Sequence, residues 1–416
     1  MEKSIKYKIV FLFALIFGIY NNQAKAQTLD NYLQMAAENN PRLLSAYAEF
    51  EAAMQRAPQV ASLPDPTLTM SAFGRMIETR VGAQEARFSL MQMFPWFGTL
   101  KAKEDAATLM AEASFQNYLN LRNEVFLDIK SVYAEIYALE KTIELKEENL
   151  EILNSYRELA LSGFRSGNSP MVNVVKVDIQ RDAAITEIEL LQDQRKPLQT
   201  RFNLMLEREP LEVIVVQDTL TFQKFEAIVD TDDFFENHPT VNALEKQRLA
   251  YEIQETVAQK EGLPMVGLGV DYSIISKRTD ANPEMNGQDA IMPMVSVTLP
   301  IFRKKIKAAR KEAEFMGASI IQQQEAQKNE LWNSYEMALY ELDRAVKLLS
   351  LYERQLESSN QANRLLVSGF SNSIIDFDEI LQMNQDILMY EIQKIEALKN
   401  GFSAEARLEY LFSKTE

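Results

Sequence analysis

The sequence predicts a mainly α-helical protein with a small membrane β part: very long coiled-coil helices, and four β-strands that cannot close a barrel without strands from other copies. Three observations lead there. Two long segments run without proline at heptad spacing, two pairs of short segments alternate apolar with polar residues, and the order of these features occurs twice along the 416 residues.

The chain opens with Lys3, Lys6 and Lys8, an apolar run over 9–19, and then Ala24-Lys25-Ala26. That order reads as a secretory signal over 1–26, with the mature chain beginning at Gln27. The run is well short of the roughly 20 residues that span a bilayer, which argues against an anchor. The sequence holds no cysteine, which removes disulfides, thiolate metal sites and a lipidated N-terminal Cys. No later uninterrupted apolar run reaches spanning length, so any membrane crossing must use strands.

Two halves follow, 27–207 and 232–416, joined by a linker over 208–231. Asn40-Pro41 answers to His238-Pro239, and Leu63-Pro64 to Leu263-Pro264. Phe94-Pro95-Trp96-Phe97 answers to Leu299-Pro300-Ile301-Phe302, and Ser162-Gly163-Phe164 to Ser368-Gly369-Phe370. Each half begins with a helix, over 29–57 and 232–260, stopped by Pro64 and Pro66 or by Pro264. Alternation comes next. Leu68, Met70 and Ala72 alternate with Thr67, Thr69 and Ser71, and Ala86, Phe88 and Leu90 with Glu85, Arg87 and Ser89. In the second half Val266, Leu268, Val270, Tyr272 and Ile274 alternate with Gly267, Gly269, Asp271 and Ser273. Val295, Val297 and Leu299 alternate with Ser296 and Thr298, giving two strands per half. Polar loops over 74–82 and 277–288 separate the strands of each pair.

The segments 98–162 and 303–368 contain no proline. At 1.5 Å per residue each makes a helix of about 96 Å. Val125, Ile129, Val132, Ile136, Leu139 and Ile143 step by four and three, and the seam resumes at Leu150 and Leu153. Leu331, Tyr335, Ala338, Leu342, Ala345, Leu349, Tyr352 and Leu356 repeat it. Sustained spacing of this kind means coiled-coil packing against neighbouring helices. After a glycine-containing turn, helices over 172–207 and 375–412 return.

With 60 acidic against 44 basic residues and a net charge of −16, the chain is unsuited to neutralising nucleic-acid phosphates. One histidine, His238, makes a histidine triad or a multi-histidine zinc site untenable. His238 precedes Pro239 where Asn40 precedes Pro41, so it reads as a helix cap. No carboxylate pair stands out from solvated helix faces, and the chain reads as a non-enzyme without cofactor.

Four strands leave two edges open, and inside a membrane closure is obligatory. Two copies would give eight strands around an interior filled by side chains; three would give twelve around a lumen. Polar and small residues at the inner positions favour three. The lumen is then lined by Thr67, Thr69, Ser71, Glu85, Arg87, Ser89, Asp271, Ser273, Ser296 and Thr298.

The paired Asn-Pro and His-Pro helix starts, the Leu-Pro-Asp-Pro strand entry, the Phe-Pro-Trp-Phe-Gly and Leu-Pro-Ile-Phe exits, and the Ser-Gly-Phe turns together resemble the TolC-like outer-membrane efflux proteins. The resemblance covers essentially the whole mature chain. It implies a homotrimer with a twelve-stranded barrel in outer-membrane lipid and a helical tunnel in the periplasm. It also implies docking to a periplasmic adaptor (membrane fusion) protein and an inner-membrane pump. The turns after the long helices would be the periplasmic tip, where the pore narrows and the adaptor docks. Phe164, Gly167 and Asn173 match the family pattern of that turn in the first half, and Gly163 and Arg165 lie in the same turn. In the second half Phe370 matches, Ser373 departs from the pattern by replacing the glycine, and Asp376 takes the acidic place with Asp378 nearby. This second turn, which includes Gly369, is about three residues shorter. Three copies of Asp376 and Asp378 around a narrow lumen would favour cations. Both also suit a helix N-terminus, where carboxylates meet free N–H groups, and Arg165 suits an exposed turn.

Trp96 fits a membrane interface or a packed strand exit. Met70, Met91, Met93, Met285, Met292 and Met294 fit either gap filling or soft copper and silver ions. The first strand pair and its Met-Phe-Pro-Trp-Phe-Gly exit resemble the heavy-metal branch of the family. A multidrug or general solute duct is the alternative within the fold, and a periplasmic coiled-coil adaptor or scaffold is the alternative outside it.

Overall fold

The computed structural model describes residues 28–217, 219–223, 237–371 and 375–413. The signal segment, part of the linker and Ser373 lie outside the described residues. Among those described, eight helices and four strands follow in order. These are α1 Leu29–Asn39, α2 Pro41–Met54, α3 Arg56–Ala61, β1 Thr67–Thr79, β2 Gly82–Phe94, α4 Thr99–Arg165 and α5 Val172–Met205. Then come α6 Pro239–Glu261, β3 Val266–Ser276, β4 Ala290–Val297, α7 Lys304–Ser371 and α8 Phe377–Leu411.

Three expectations need correction. The single first helix over 29–57 is three helices. Pro41 forces the residue before it out of the helical region, and Asn40 sits at φ −63°, ψ 121°. Pro58 has no N–H to give to the carbonyl of Met54, and the chain breaks again at Gln55. The expected loop over 74–82 is mostly strand. β1 continues to Thr79 and pairs Ile77, Glu78 and Thr79 with Gln84, Ala83 and Gly82, leaving only Arg80 and Val81 as the turn. A register shift between Ala72 and Ile77 hides this pairing, because it interrupts the alternation of period two. The last strand ends at Val297, with Thr298 beyond it, where its Oγ1 accepts from the Met265 N–H at 2.8 Å.

The strands form one antiparallel sheet in the order β1-β2-β3-β4, so β1 and β4 are open edges. Pro293 lies on β4, where an edge tolerates a residue without N–H.

The chain divides into two compact units, each drawn from both halves: one from residues up to Leu44, 122–229 and 333 onward, the other from 45–121 and 230–332. In the first unit the heptad residues Val125, Ile129, Val132, Ile136, Leu139, Ile143 and Leu153 are buried, as are Tyr335, Ala338, Leu342 and Ala345. Leu150 is only half-buried. The buried place beside it goes to Asn149, whose Oδ1 accepts from Asn384 Nδ2 at 2.6 Å. Tyr32 and Phe202 meet edge to face at 5.0 Å, and the hydroxyls of Tyr32 and Tyr133 accept the Val215 and Gln217 N–H groups. In the second unit, small residues such as Ala106, Ala250 and Ala313 are buried, and Tyr47, Phe50, Phe115 and Tyr118 form an aromatic cluster.

Candidate channel-lining and tip sites

The ladder sorts the sheet into two chemically opposite faces. Thr69, Ser89 and Asp271 lie in one row, and Ser71, Arg87 and Ser273 in the next. Thr67, Met91 and Gly269 form a third, and Met93, Gly267 and Ser296 a fourth. On this face Arg87 pairs with Asp271, Ser89 donates to the same carboxylate, and Gln84 Nε2 donates to Ser273 Oγ at 2.7 Å. Asp271 is fully buried within a single chain, and its two partners hold it there. An unpaired carboxylate in that position would be costly, so the network explains why polar groups survive on a sheet.

The opposite face carries Leu68, Leu90 and Val270 in one row and Met70, Phe88, Tyr272 and Ile291 in another. It is open to the surroundings, with Leu68 58% and Ile291 68% exposed. A contiguous exposed apolar face of this kind is suited to lipid.

Eight of the ten sequence-chosen lining residues share the polar face: Thr67, Thr69, Ser71, Arg87, Ser89, Asp271, Ser273 and Ser296. Glu85 falls in the shift between Gln84 and Ala86 and has no partner in β3, so Gln84 takes the place beside Ser273. Thr298 lies past the strand. Sequence reasoning did not assign Met91, Met93, Met292 and Met294 to this face, although parity with Ser89 and Ser296 points to it. Both Met91 and Met93 place Sδ 3.7 Å from Ser296 Oγ, above Gly267.

In the other unit, α4 ends in a turn closed by backbone bonds from Ser166, Gly167 and Asn168 to Ser162, Phe164 and Gly163. Gly167 has φ 77°, which L side chains rarely adopt. Asn173 Nδ2 donates to Ser169 Oγ at 2.9 Å, and Phe164 is exposed. At the second turn Phe370 packs on Phe377 at 5.2 Å. A Cβ on Gly369 would lie 2.3 Å from Ile375 Cδ1, so glycine permits the close approach. Asp376 stands at the N-cap of α8 without a side-chain cap bond, and Asp378 pairs with Lys176 of α5. Phe377, Ile380 and Leu381 pack with Leu153, Tyr156, Val174 and Val177, which ties both turns to one core.

His238 caps α6, its Nδ1 accepting from the Thr240 N–H at 3.3 Å, and burial lowers its pKa to about 4. Among the described residues no group of three or more His, Asp or Glu side chains could hold a metal ion. No described helix is long and apolar enough to cross a membrane.

Paired long helices and a small antiparallel sheet with one apolar and one polar face define the class of TolC-like outer-membrane channels. The chain belongs to the outer membrane efflux protein family, whose sequence profile matches residues 32–206 and 232–411. Among solved structures it is similar to the outer-membrane channel OprN, at 18% identity and TM-score 0.78, over 93% of this chain and 90% of that one. VceC from Vibrio cholerae matches at 16% and 0.76, over 92% of this chain and 96% of that one. CusC matches at 14% and 0.77, over 92% and 91%. No curated protein matches the chain in sequence. It is an efflux channel of the outer membrane.

Proposed function

We propose that the chain is the exit duct of a tripartite efflux system, conducting its cargo passively while an inner-membrane pump supplies the drive through a periplasmic adaptor. The observation that carries this is the four-stranded sheet: lipid-suited on one face, hydrogen-bonded and charged on the other, and open at both edges. Three copies joined edge to edge enclose the polar face in a twelve-stranded barrel. In this reading residues 1–26 are removed on export, and 27–207 and 232–416 are structural repeats joined by 208–231. The turns at Gly163, Phe164, Arg165, Gly167 and Asn173, and at Gly369, Phe370, Asp376 and Asp378, form the periplasmic tip that meets the adaptor and gates the bore. Ser373 belongs to the same proposed tip.

The proposed cargo is heavy-metal cations such as copper or silver. Four methionines on the polar face support it, since thioethers suit soft ions. Multidrug or general solute export is the second reading within the same architecture. Outer-membrane fractionation tests the duct: a heat-modifiable trimer supports it, and a soluble periplasmic monomer overturns it. Deleting the gene and comparing silver, copper and drug sensitivity separates the two cargoes.

A further inference from the structure

The start of α7 runs against the charge preference of a helix. Its free N–H groups carry partial positive charge, so carboxylates are favoured in the first turn and cations are disfavoured. Here Arg303, Lys304, Lys305, Lys307, Arg310 and Lys311 crowd 303–311, with no acid before Glu312, in a chain of net charge −16. Arg310 pairs with Glu255 at 2.7 Å. The other five make no ion pair among the described residues, and all five are exposed. Ile306, in their midst, fits against Gly262 at the end of α6, where a Cβ would lie 3.0 Å from Ile306 Cγ2. The helix start is therefore seated through Ile306 while its cations stay outside. The corresponding exit of the first half differs. Lys101 pairs with Glu104 and Asp105, and Lys103 with Glu261, so those charges are neutralised within the chain.

The residues just before the cations are exposed and apolar. Leu299 and Ile301 follow the end of β4 and are exposed, and Phe302 is 84% exposed. Within a few residues the surface changes from uncovered apolar groups to uncompensated positive charge. That order matches a passage from acyl chains to a layer of anionic headgroups.

We propose that the start of α7 binds the phosphodiester headgroups of anionic phospholipids, with Leu299, Ile301 and Phe302 in the acyl layer below them. The proposal rests on the reading of the sheet as a bilayer-spanning barrel segment. It supplies the anion that the helix start lacks and sets the depth at which the sheet sits.

The chain has two tryptophans, and Trp332→Phe leaves Trp96, at the neighbouring β2 exit, as reporter. The full-length protein with this change is reconstituted in phosphatidylcholine bilayers containing either brominated phosphatidylcholine or brominated phosphatidylglycerol. The anionic lipid is expected to quench Trp96 preferentially, with a relative association constant of about five that falls towards one at high salt. Lys304→Gln/Lys305→Gln/Lys307→Gln is expected to remove the preference while leaving quenching by brominated phosphatidylcholine unchanged, which also shows that the variant inserts. Equal quenching by both lipids in the parent protein overturns the proposal. So does a triple variant that keeps the preference, including one whose oligomer dissociates, since the cations would then serve a second copy of the chain. Absent quenching by either lipid would instead overturn the bilayer-spanning sheet itself.

Discussion

Asn40 and His238 hold equivalent places before a proline, yet only His238 titrates. Asn40 Oδ1 accepts from the Arg42 N–H and its Nδ2 donates to the Met205 carbonyl, whereas His238 caps with a ring whose pKa burial lowers to about 4. Above pH 6.5 the ring is neutral in both folded and unfolded chains, and the burial costs no charge. As pH falls from 6.5 to about 4 the unfolded chain takes up a proton that the folded chain refuses, and about 3 kcal/mol of stability is lost. His238→Asn is expected to remove that contribution, read as a thermal midpoint that drops less than the parent's between pH 6.5 and 4. Gly369 makes a second residue-level prediction. Gly369→Ala drives a methyl into Ile375 and is expected to cost about 1–3 kcal/mol as overpacking. Adding Ile375→Val should recover most of the fall in thermal midpoint; no recovery would place the strain elsewhere.

At the scale of elements, the buried Asn149 and Asn384 interrupt an otherwise apolar seam between α4 and α8. Asn384→Leu leaves Asn149 buried with an unmet amide and is expected to cost about 1–3 kcal/mol. Replacing both with Leu should restore stability, because the desolvation penalty then disappears from both sides. Thermal unfolding of the two single variants and the double gives the coupling directly. This pair also marks what sequence periodicity can and cannot show. The positions Val125 to Ile143 were legible because apolar side chains at heptad spacing bury together whatever their partner helix. The substitution of Asn149 for Leu150 was not, since it depends on a hydrogen bond to a residue far along the chain. The two faces of the sheet were legible from parity except at Glu85, where the shift between Gln84 and Ala86 breaks the count. The length of the first hairpin was not, because the shift between Ala72 and Ile77 breaks the very alternation that announces a strand.

For the whole molecule the open edges make the sharpest prediction. Thr69 on β1 and Met292 on β4 share a row of the polar face, three strands apart, or about 14 Å. That exceeds the roughly 7 Å that a disulfide can bridge within one chain. The natural sequence has no cysteine, so Thr69→Cys combined in turn with Met292→Cys, Met294→Cys or Ser296→Cys can only link neighbouring copies through these positions. Oxidation in membranes is expected to give covalent species up to trimers and none larger for at least one pair. Monomers in all three combinations would contradict edge-to-edge pooling. The repeated order of helix and hairpin was readable along the sequence. The division into units was not, because it follows packing across the two halves and cuts through α4 and α7.

That division has a consequence for biogenesis. One unit needs both α1 and α8, the first and last of the described helices, so its core has no complete set of walls until α8 has emerged. Contacts between such distant segments form slowly and late. The polypeptide is thereby kept from locking through most of its synthesis, the state in which a chain bound for the outer membrane can still be threaded.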